Sequence, residues 1–373
     1  MGRPRIVHLT TVHPPFDPRI FWKEAVSLCG AGYDVYLVAR HTRAETVEGV
    51  QIVPLRPIEG RYRRIVLQRE VFARARNLQA EVYHFHDPEL IPVAYALKRT
   101  TGARIIYDMH EDYRWHGPVE GRLLRLLERW CFRWADHVVV VDSQLEALVR
   151  QYGGATTLIA NYFKPLASEP VAPAAKSCPR GEPFRLLYTG YSARVRGLPM
   201  LIRIAESIAR EGLNWHLDLV GRCLVERDRA DTEARLQSSP GAQVLSRIGW
   251  DTYVPAAAMT PYYRQAHVGL VLWQAHPNHS RIPTKFYEYA NHGLPILCSD
   301  LPPWRAFIEE HRCGVVVNPH DLTSIMRILK EWAHTPALYA QLSQAALDAA
   351  SKHQWTVMEV RLLDVYARLL GQA

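Results

Sequence analysis

Short apolar runs rich in β-branched residues recur along the first half of the chain. They are RIVHLT (5–10), DVYLVAR (34–40), VQIVPLR (50–56), EVYHFHD (81–87), RIIYDMH (104–110), HVVVVD (137–142) and TTLIANY (156–162). Runs this short and continuous predict buried strands. Between most of them lie stretches of helical period, such as PRIFWKEAVSLCGAG and RRIVLQREVFARARNLQ. Strand alternating with helix predicts a parallel sheet covered on both faces. The rhythm stops over 163–183, a stretch rich in Pro, Ala and Ser that reads as a linker. It resumes at FRLLYTG (184–190), WHLDLVG (215–221), AQVLSRIG (242–249), VGLVLWQ (268–274), PILCSD (295–300) and GVVVNP (314–319). An amphipathic helix, WTVMEVRLLDVYARLL, follows. The fold class expected is α/β: two doubly wound, Rossmann-like domains at 1–165 and 184–353, a linker at 166–183, and a terminal helix at 354–373 crossing back to the first domain. Ligands of such sheets bind beyond the carboxyl ends of the strands, so the expected site is a cleft between the two.

Composition narrows the class without changing it. A length of 373 residues exceeds one ordinary core, and 48% hydrophobic with 22% charged residues is globular. The formal net charge of +8 fits anionic ligands or an anionic membrane surface, and is also common among soluble enzymes. None of the six cysteines is spaced as a metal or redox pair, so reduced thiols are expected. No secretion signal and no apolar run of roughly 20 residues is present, which makes the expected location cytoplasmic, free or peripheral on the inner face of the membrane. The basic stretches carry no recognition motif, so nucleic acid is not an expected partner.

Candidate chemistry concentrates in HPNHSRIPTKFYEYANHGLPILCSDLP (276–302). Pro283 suits the first turn of a helix that Gly293 stops. Open N–H groups at a helix start attract an anion, and Lys285 adds a full charge there. Glu288, one turn on, can accept from two neighbouring sugar hydroxyls. An ordinary helix with an exposed Lys–Glu surface remains the alternative. In LLYTGYSARVRGLPMLI (186–202), a strand ends at Thr189–Gly190 and the loop after it carries Arg194 and Arg196. An arginine there can fork onto two phosphate oxygens, and a solvated loop is the alternative. No Asp-x-Asp pair follows a strand, so no metal is predicted. In the first half, His84 and His86 share one strand face by alternation. His86, Asp87 and Glu89 are expected to line the cleft. His110 ends its own strand, with Glu111 and Asp112 after it. Asp17 reads as a helix cap, and Arg19 as a group for an anionic acceptor.

PTKFYEYANHGLPILCSDLP (283–302) resembles the signature of retaining glycosyltransferase family 4, a GT-B fold. HPPFDPRIFWKEAVSLCGAGYDVYLVA, YHFHDPELIPVAYALK and IIYDMHEDYR resemble the N-terminal half of its bacterial capsule, exopolysaccharide and lipopolysaccharide branch. The resemblance implies a UDP- or GDP-sugar as donor and a saccharide or lipid-linked saccharide as acceptor. It implies His110, Arg196 and Lys285 as catalytic residues, with charge on the departing diphosphate met by side chains and the helix start. Gly190, Gly249, Ser280, Thr284 and Glu288 complete the donor set. Arg19, His86, Asp87, Glu89 and Glu111 form the acceptor set. Two positions depart from the family pattern: Ser280 stands where a first glutamate is usual, and Tyr191 where an arginine often follows the glycine. Other readings are a nucleotide-sugar epimerase on the same fold and a non-catalytic nucleotide-sugar-binding subunit, the latter favoured by Ser280.

GRLLRLLERWCFRWADH (121–137) places Arg122, Arg125, Arg129 and Arg133 on one helical stripe and Leu123, Leu127, Trp130 and Trp134 on the next. RYRRIVLQREVFARAR (61–76) is similarly basic. Such helices suit an anionic membrane surface; a helix packed on the sheet with solvated arginines is the alternative.

Overall fold

The computed structural model describes residues 2–56, 63–110, 120–165, 174–177, 181–252, 254–255, 258–274 and 281–372. Contacts divide the chain into Met1–Asn161 with Trp355–Ala373, and Tyr162–Gln354.

In the first unit the predicted strands form β1 (Arg5–Leu9), β2 (Asp34–Arg40), β4 (Val50–Leu55), β5 (Val82–Phe85), β6 (Arg104–Met109), β7 (His137–Val140) and β8 (Thr156–Leu158). An additional strand, β3 (Glu45–Val47), pairs antiparallel with β4, Val47 opposite Val50. The two residues between them, Glu48 and Gly49, both have positive φ (49° and 79°), the backbone of a two-residue hairpin. The sheet order is β3-β4-β2-β1-β5-β6-β7-β8, parallel apart from that hairpin. Alternation along β1, β5 and β6 sends Val7, Leu9, Tyr83, Phe85 and Tyr107 into an apolar core shared with Leu67, Val71, Leu97 and Phe132. The opposite face carries His8, His84, His86 and Asp108, all buried. Glu24 and the terminal helix Trp355–Leu369 meet it there: Tyr366 Oη lies 2.7 Å from His84 Nδ1, and Trp355 Nε1 donates to Ser27 Oγ at 2.9 Å.

The second unit contains β9 (Phe184–Thr189), β10 (Trp215–Val220), β11 (Leu245–Ile248), β12 (Val268–Val271), β13 (Ile296–Ser299) and β14 (Gly314–Val317). All pairs are parallel, in the order β11-β10-β9-β12-β13-β14. Counted from β9 this is 3-2-1-4-5-6, the Rossmann order. Most of the predicted linker lies outside the described residues. At 174–177 the chain is fastened to the unit: Lys176 Nζ donates to the carbonyls of Tyr263, Arg264 and Ala266 at 2.6–2.7 Å, at the end of helix Thr260–Gln265. A cation is favourable at a helix C-terminus.

Candidate functional site

The parallel strands of each sheet reverse their order once, between β1 and β5 in the first unit and between β9 and β12 in the second. Such switch points are where doubly wound sheets bind ligands. A polar cluster occupies each.

In the second unit, β9 runs into Gly190 (φ 87°) and its loop returns at Gly197 (φ 84°). A Cβ on Gly197 would meet Leu272 O at 2.0 Å, so only glycine lets the loop pass over the end of β12. That close passage brings Arg196 above Trp273, its guanidinium carbon 4.8 Å from the ring centroid. Lys285, buried, is the second residue of helix Thr284–Asn291. Its ammonium lies 5.3 Å from the Trp273 ring and 5.1 Å from that of Tyr188. Aromatic faces attract cations, and here they hold two together. Burial, with Arg196 beside it, pushes the Lys285 ammonium down to about 7. A site that gathers a buried and a half-buried cation is electrostatically prepared for an anion. Helix Thr284–Asn291 has Pro283 extended at its N-cap and Thr284 exposed as its first residue. Glu288, half-buried, accepts from Tyr263 Oη at 2.8 Å. Of the two loop arginines, Arg194 is taken by acids, its Nη2 2.8 Å from Asp231 and its Nε 3.5 Å from Asp228. Gly249 has φ 66°, and a Cβ there would meet Val254 Cγ2 at 2.0 Å.

In the first unit, the chain after β1 turns back on β5. Asp87 Oδ2 accepts from Thr11 N at 2.5 Å, Thr10 Oγ1 at 3.0 Å and Val12 N at 3.2 Å. Asp17 Oδ1 caps the next helix, accepting from Arg19 N and Ile20 N at 2.8 and 3.0 Å. The helix opens as a π turn, Ile20–Ala25, and Arg19 and Glu24 are both buried against the sheet. Arg19 forks onto Asp108, Nε to Oδ2 at 2.8 Å and Nη2 to Oδ1 at 3.0 Å. Its Nη1 donates to Ile159 O and Asn161 Oδ1, and Glu24 Oε1 lies 3.0 Å from its Nε. Burial alone would raise Asp108, but Arg19 and His110 hold it well below the usual carboxylate range. Burial and the neighbouring Asp108 push Glu24 well above it. Burial also drives His8 and His84 down and brings His86 to about 4, so these rings are neutral at pH 7.

Among the described residues, two groups of side chains bring metal-type ligand atoms within 4.8 Å of one another: His8, Glu24, His84 and His86, and His86, Asp108 and His110. In each group two ring nitrogens lie within 3.0–3.1 Å of each other.

Residues 19–161 match the family model "Glycosyl transferase 4-like domain", and residues 183–334 match "Glycosyl transferases group 1". These are two glycosyltransferase-family domains on a GT-B fold. Sucrose-phosphate synthase from Thermosynechococcus elongatus superimposes over 100% of both chains with a TM-score of 0.76 at 17% identity. HepE from Anabaena, in complex with UDP-glucose, superimposes over 98% of this chain and 99% of its own, with a TM-score of 0.73 at 11% identity. In sequence, D-inositol 3-phosphate glycosyltransferase of Streptosporangium roseum is 28% identical over 114 residues, 30% of this chain. The match spans 25% of that relative's length.

On this GT-B frame the predicted donor residues Gly190, Arg196 and Lys285 converge at one switch point, while Ser280 lies outside the described residues. Of the predicted acceptor residues, Arg19, His86 and Asp87 are buried, and Glu111 lies outside the described residues. Glu89 is half-buried and accepts from Thr11 Oγ1 at 2.7 Å. His110 keeps 12% of its side-chain surface exposed. Sequence reading passed over Asp108, Glu24, Tyr188, Tyr263 and Trp273. The signal for Asp108 was a charge inside the apolar run RIIYDM, which a strand buries only with a partner.

Along helix Glu120–Trp134, Leu123, Leu126 and Trp130 are 59%, 55% and 41% exposed, with Arg122, Arg129 and Arg133 beside them. Leu127 and Trp134 turn toward the core, so Leu126 takes their place on the outer face. Tyr95 joins the patch, its ring 4.7 Å from Trp130. Among the described residues no helix is long and apolar enough to cross a membrane.

Proposed function

We propose that the chain transfers a hexose from a UDP- or GDP-sugar to a saccharide or lipid-linked saccharide, in assembly of a cell-surface polysaccharide. The bond between the anomeric carbon and the diphosphate oxygen breaks, a bond to the acceptor oxygen forms on the same face, and the acceptor proton leaves with the nucleoside diphosphate. The observation that carries this reading is the pairing of Lys285 and Arg196 on Trp273 at the second unit's switch point. Two cations in a low-dielectric slot meet the charge that builds on a departing diphosphate, without a divalent metal. Glu288, braced by Tyr263, is the group for a ribose diol. HepE, of the same fold and crystallised with UDP-glucose, supports a uridine diphosphate sugar as the first donor to test.

In the first unit His110 and Glu89 are the groups for sugar and acceptor, and the buried Arg19, His86 and Asp87 act by holding them. The Trp130 patch with its arginines supports adsorption to the inner face of an anionic membrane, where a lipid-linked acceptor resides.

A thermal-shift panel of UDP, GDP, ADP and their sugars tests the reading, since a ligand of the folded state raises its stability by mass action. One nucleotide should stabilise the wild type, and Arg196→Ala and Glu288→Ala should each remove that shift while leaving the ligand-free protein folded. Retention of the full shift by both variants disproves the assigned pocket. Release of free nucleoside diphosphate from the donor separates a transferase from an epimerase or a binding subunit, which release none.

A further inference from the structure

Three histidines from adjacent strands stand in line in the first unit. His8 Nδ1 lies 3.0 Å from His86 Nε2, and His86 Nδ1 lies 3.1 Å from His110 Nε2. Distance leaves the protonation at these contacts open, because a neutral ring carries one proton on either nitrogen. Asp108 decides it. Its Oδ2 is 3.2 Å from His86 Nδ1 and 3.0 Å from His110 Nε2. Arg19 forks onto both oxygens of the same carboxylate. A carboxylate gripped by an arginine stays ionised and can only accept. The two nitrogens facing it therefore both carry protons directed at Oδ2, and the 3.1 Å approach of His86 Nδ1 to His110 Nε2 is two donors sharing one acceptor, not a hydrogen bond between the rings. The other nitrogen of His86 is then a lone pair, which matches a proton on His8 Nδ1. That leaves His8 Nε2 as a lone pair, and this atom is buried without a hydrogen-bond partner among the described residues. A buried acceptor left unpaired is a more tolerable fault than a buried N–H.

We propose that Asp108, held by Arg19, is a positioning residue that fixes His110 as its Nε2–H tautomer, making Nδ1 the basic nitrogen that the ring offers to a sugar hydroxyl. The consequence for turnover rests on the proposed function; the tautomers do not.

The same triangle of Asp108 Oδ2, His86 Nδ1 and His110 Nε2 has the spacing of three adjacent metal ligands, and a metal there gives the opposite protonation. It needs lone pairs on both facing nitrogens, which moves the protons to His110 Nδ1, His86 Nε2 and His8 Nε2. It also sets a dication beside the Arg19 guanidinium and orphans an N–H on His8.

Long-range proton–nitrogen correlation spectra of the full chain labelled with ¹⁵N-histidine distinguish the two. Signals are assigned by their loss in His110→Gln and His86→Gln. The expected result is His110 protonated at Nε2 and His86 at Nδ1, unchanged by added Zn²⁺. In Asp108→Asn, His110 should populate both tautomers, and kcat for the donor should fall on the order of 100-fold with little change in KM. A wild-type His110 protonated at Nδ1, or an Asp108→Asn protein with the wild-type tautomer, overturns the proposal. If Asp108→Asn does not fold, the wild-type spectrum still decides. Expected tautomers in a protein that turns over no nucleotide-sugar uphold the positioning and defeat the functional reading instead.

Discussion

Lys285 Nζ lies where a side chain at residue 190 would begin, since a Cβ on Gly190 would come within 2.6 Å of it. The glycine thus serves twice, providing a left-handed turn (φ 87°) and making room for the ammonium at the end of β9. Gly190→Ala should cost about 1–2 kcal/mol through the backbone alone. It should also displace Lys285, weakening UDP binding at least about tenfold, the loss of one charge-assisted contact. Gly212→Ala is the control: its φ is 61°, with open space around a Cβ. Calorimetric titration of both variants should show similar destabilisation and lost affinity only in the first. Equal affinities would separate the turn from the pocket.

Protonation of Lys285 should make UDP binding sensitive to pH. Burial and Arg196 bring its ammonium from an ordinary 10.5 to about 7. Between those values the unfolded chain holds a proton that the folded protein has released. The cost of burying the charge is therefore full below pH 7 and fades as pH rises through that window. A bound diphosphate favours the charged form, so binding takes up a proton. Affinity for UDP should fall between pH 7 and 9, by at most about tenfold per unit. Titration at pH 8 in buffers of different ionisation enthalpy measures the uptake directly. Lys285→Arg, charged throughout, should flatten the dependence; a wild-type affinity constant from pH 7 to 9 refutes it.

The central strands were legible because each is an apolar run buried on both faces, a pattern that two flanking helix layers impose, while the edge strands β8, β11 and β14 are mostly half-buried. The hairpin at Glu45–Val47 was not, although Glu48–Gly49 ahead of Val50 resembles a two-residue turn; three residues are too few for a period. The cationic cluster was legible in part. Lys285 stood at an expected helix start and Arg196 in a loop after a strand, but Tyr188 and Trp273, which hold them, read as core. Least legible was the Asp108 network. Arg19 reaches Asp108 across 89 residues of sequence, and the π turn at Ile20–Ala25, which accompanies its burial with Glu24, has no signature in an otherwise helical pattern.

Glu288 gives a test of nucleotide discrimination. Its carboxylate accepts from Tyr263 Oη at 2.8 Å, which leaves it capacity for further donors. In the proposed pocket those donors are ribose hydroxyls. Wild type should bind UDP more tightly than 2′-deoxy-UDP by about 1.5–3 kcal/mol, the worth of a hydrogen bond to a charged group. Glu288→Ala should bind the two equally. Tyr263→Phe should keep the preference in weakened form, because the carboxylate remains but loses its brace. A deoxy-nucleotide preference unchanged in Glu288→Ala would put the ribose elsewhere.

The outer face of helix Glu120–Trp134 makes a prediction about surfaces. Leu123, Leu126 and Trp130 are exposed beside three exposed arginines, and Trp130 lies tilted against Tyr95 instead of entering the core. Apolar side chains inserted among lipid headgroups and arginines at the phosphates would act together. Each arginine near an anionic surface contributes about 1 kcal/mol, and salt screens that share. Cosedimentation with phosphatidylglycerol vesicles should be strong at low salt and weak at high salt, and absent with phosphatidylcholine alone. Leu126→Ser with Trp130→Ser should reduce binding at both salt concentrations, whereas Arg129→Gln with Arg133→Gln should reduce chiefly the low-salt value. Because all four side chains are exposed, neither pair should lower Tm by more than a few degrees. Equal binding of wild type and both double variants would move the membrane contact to another face, and no binding at low salt would remove it.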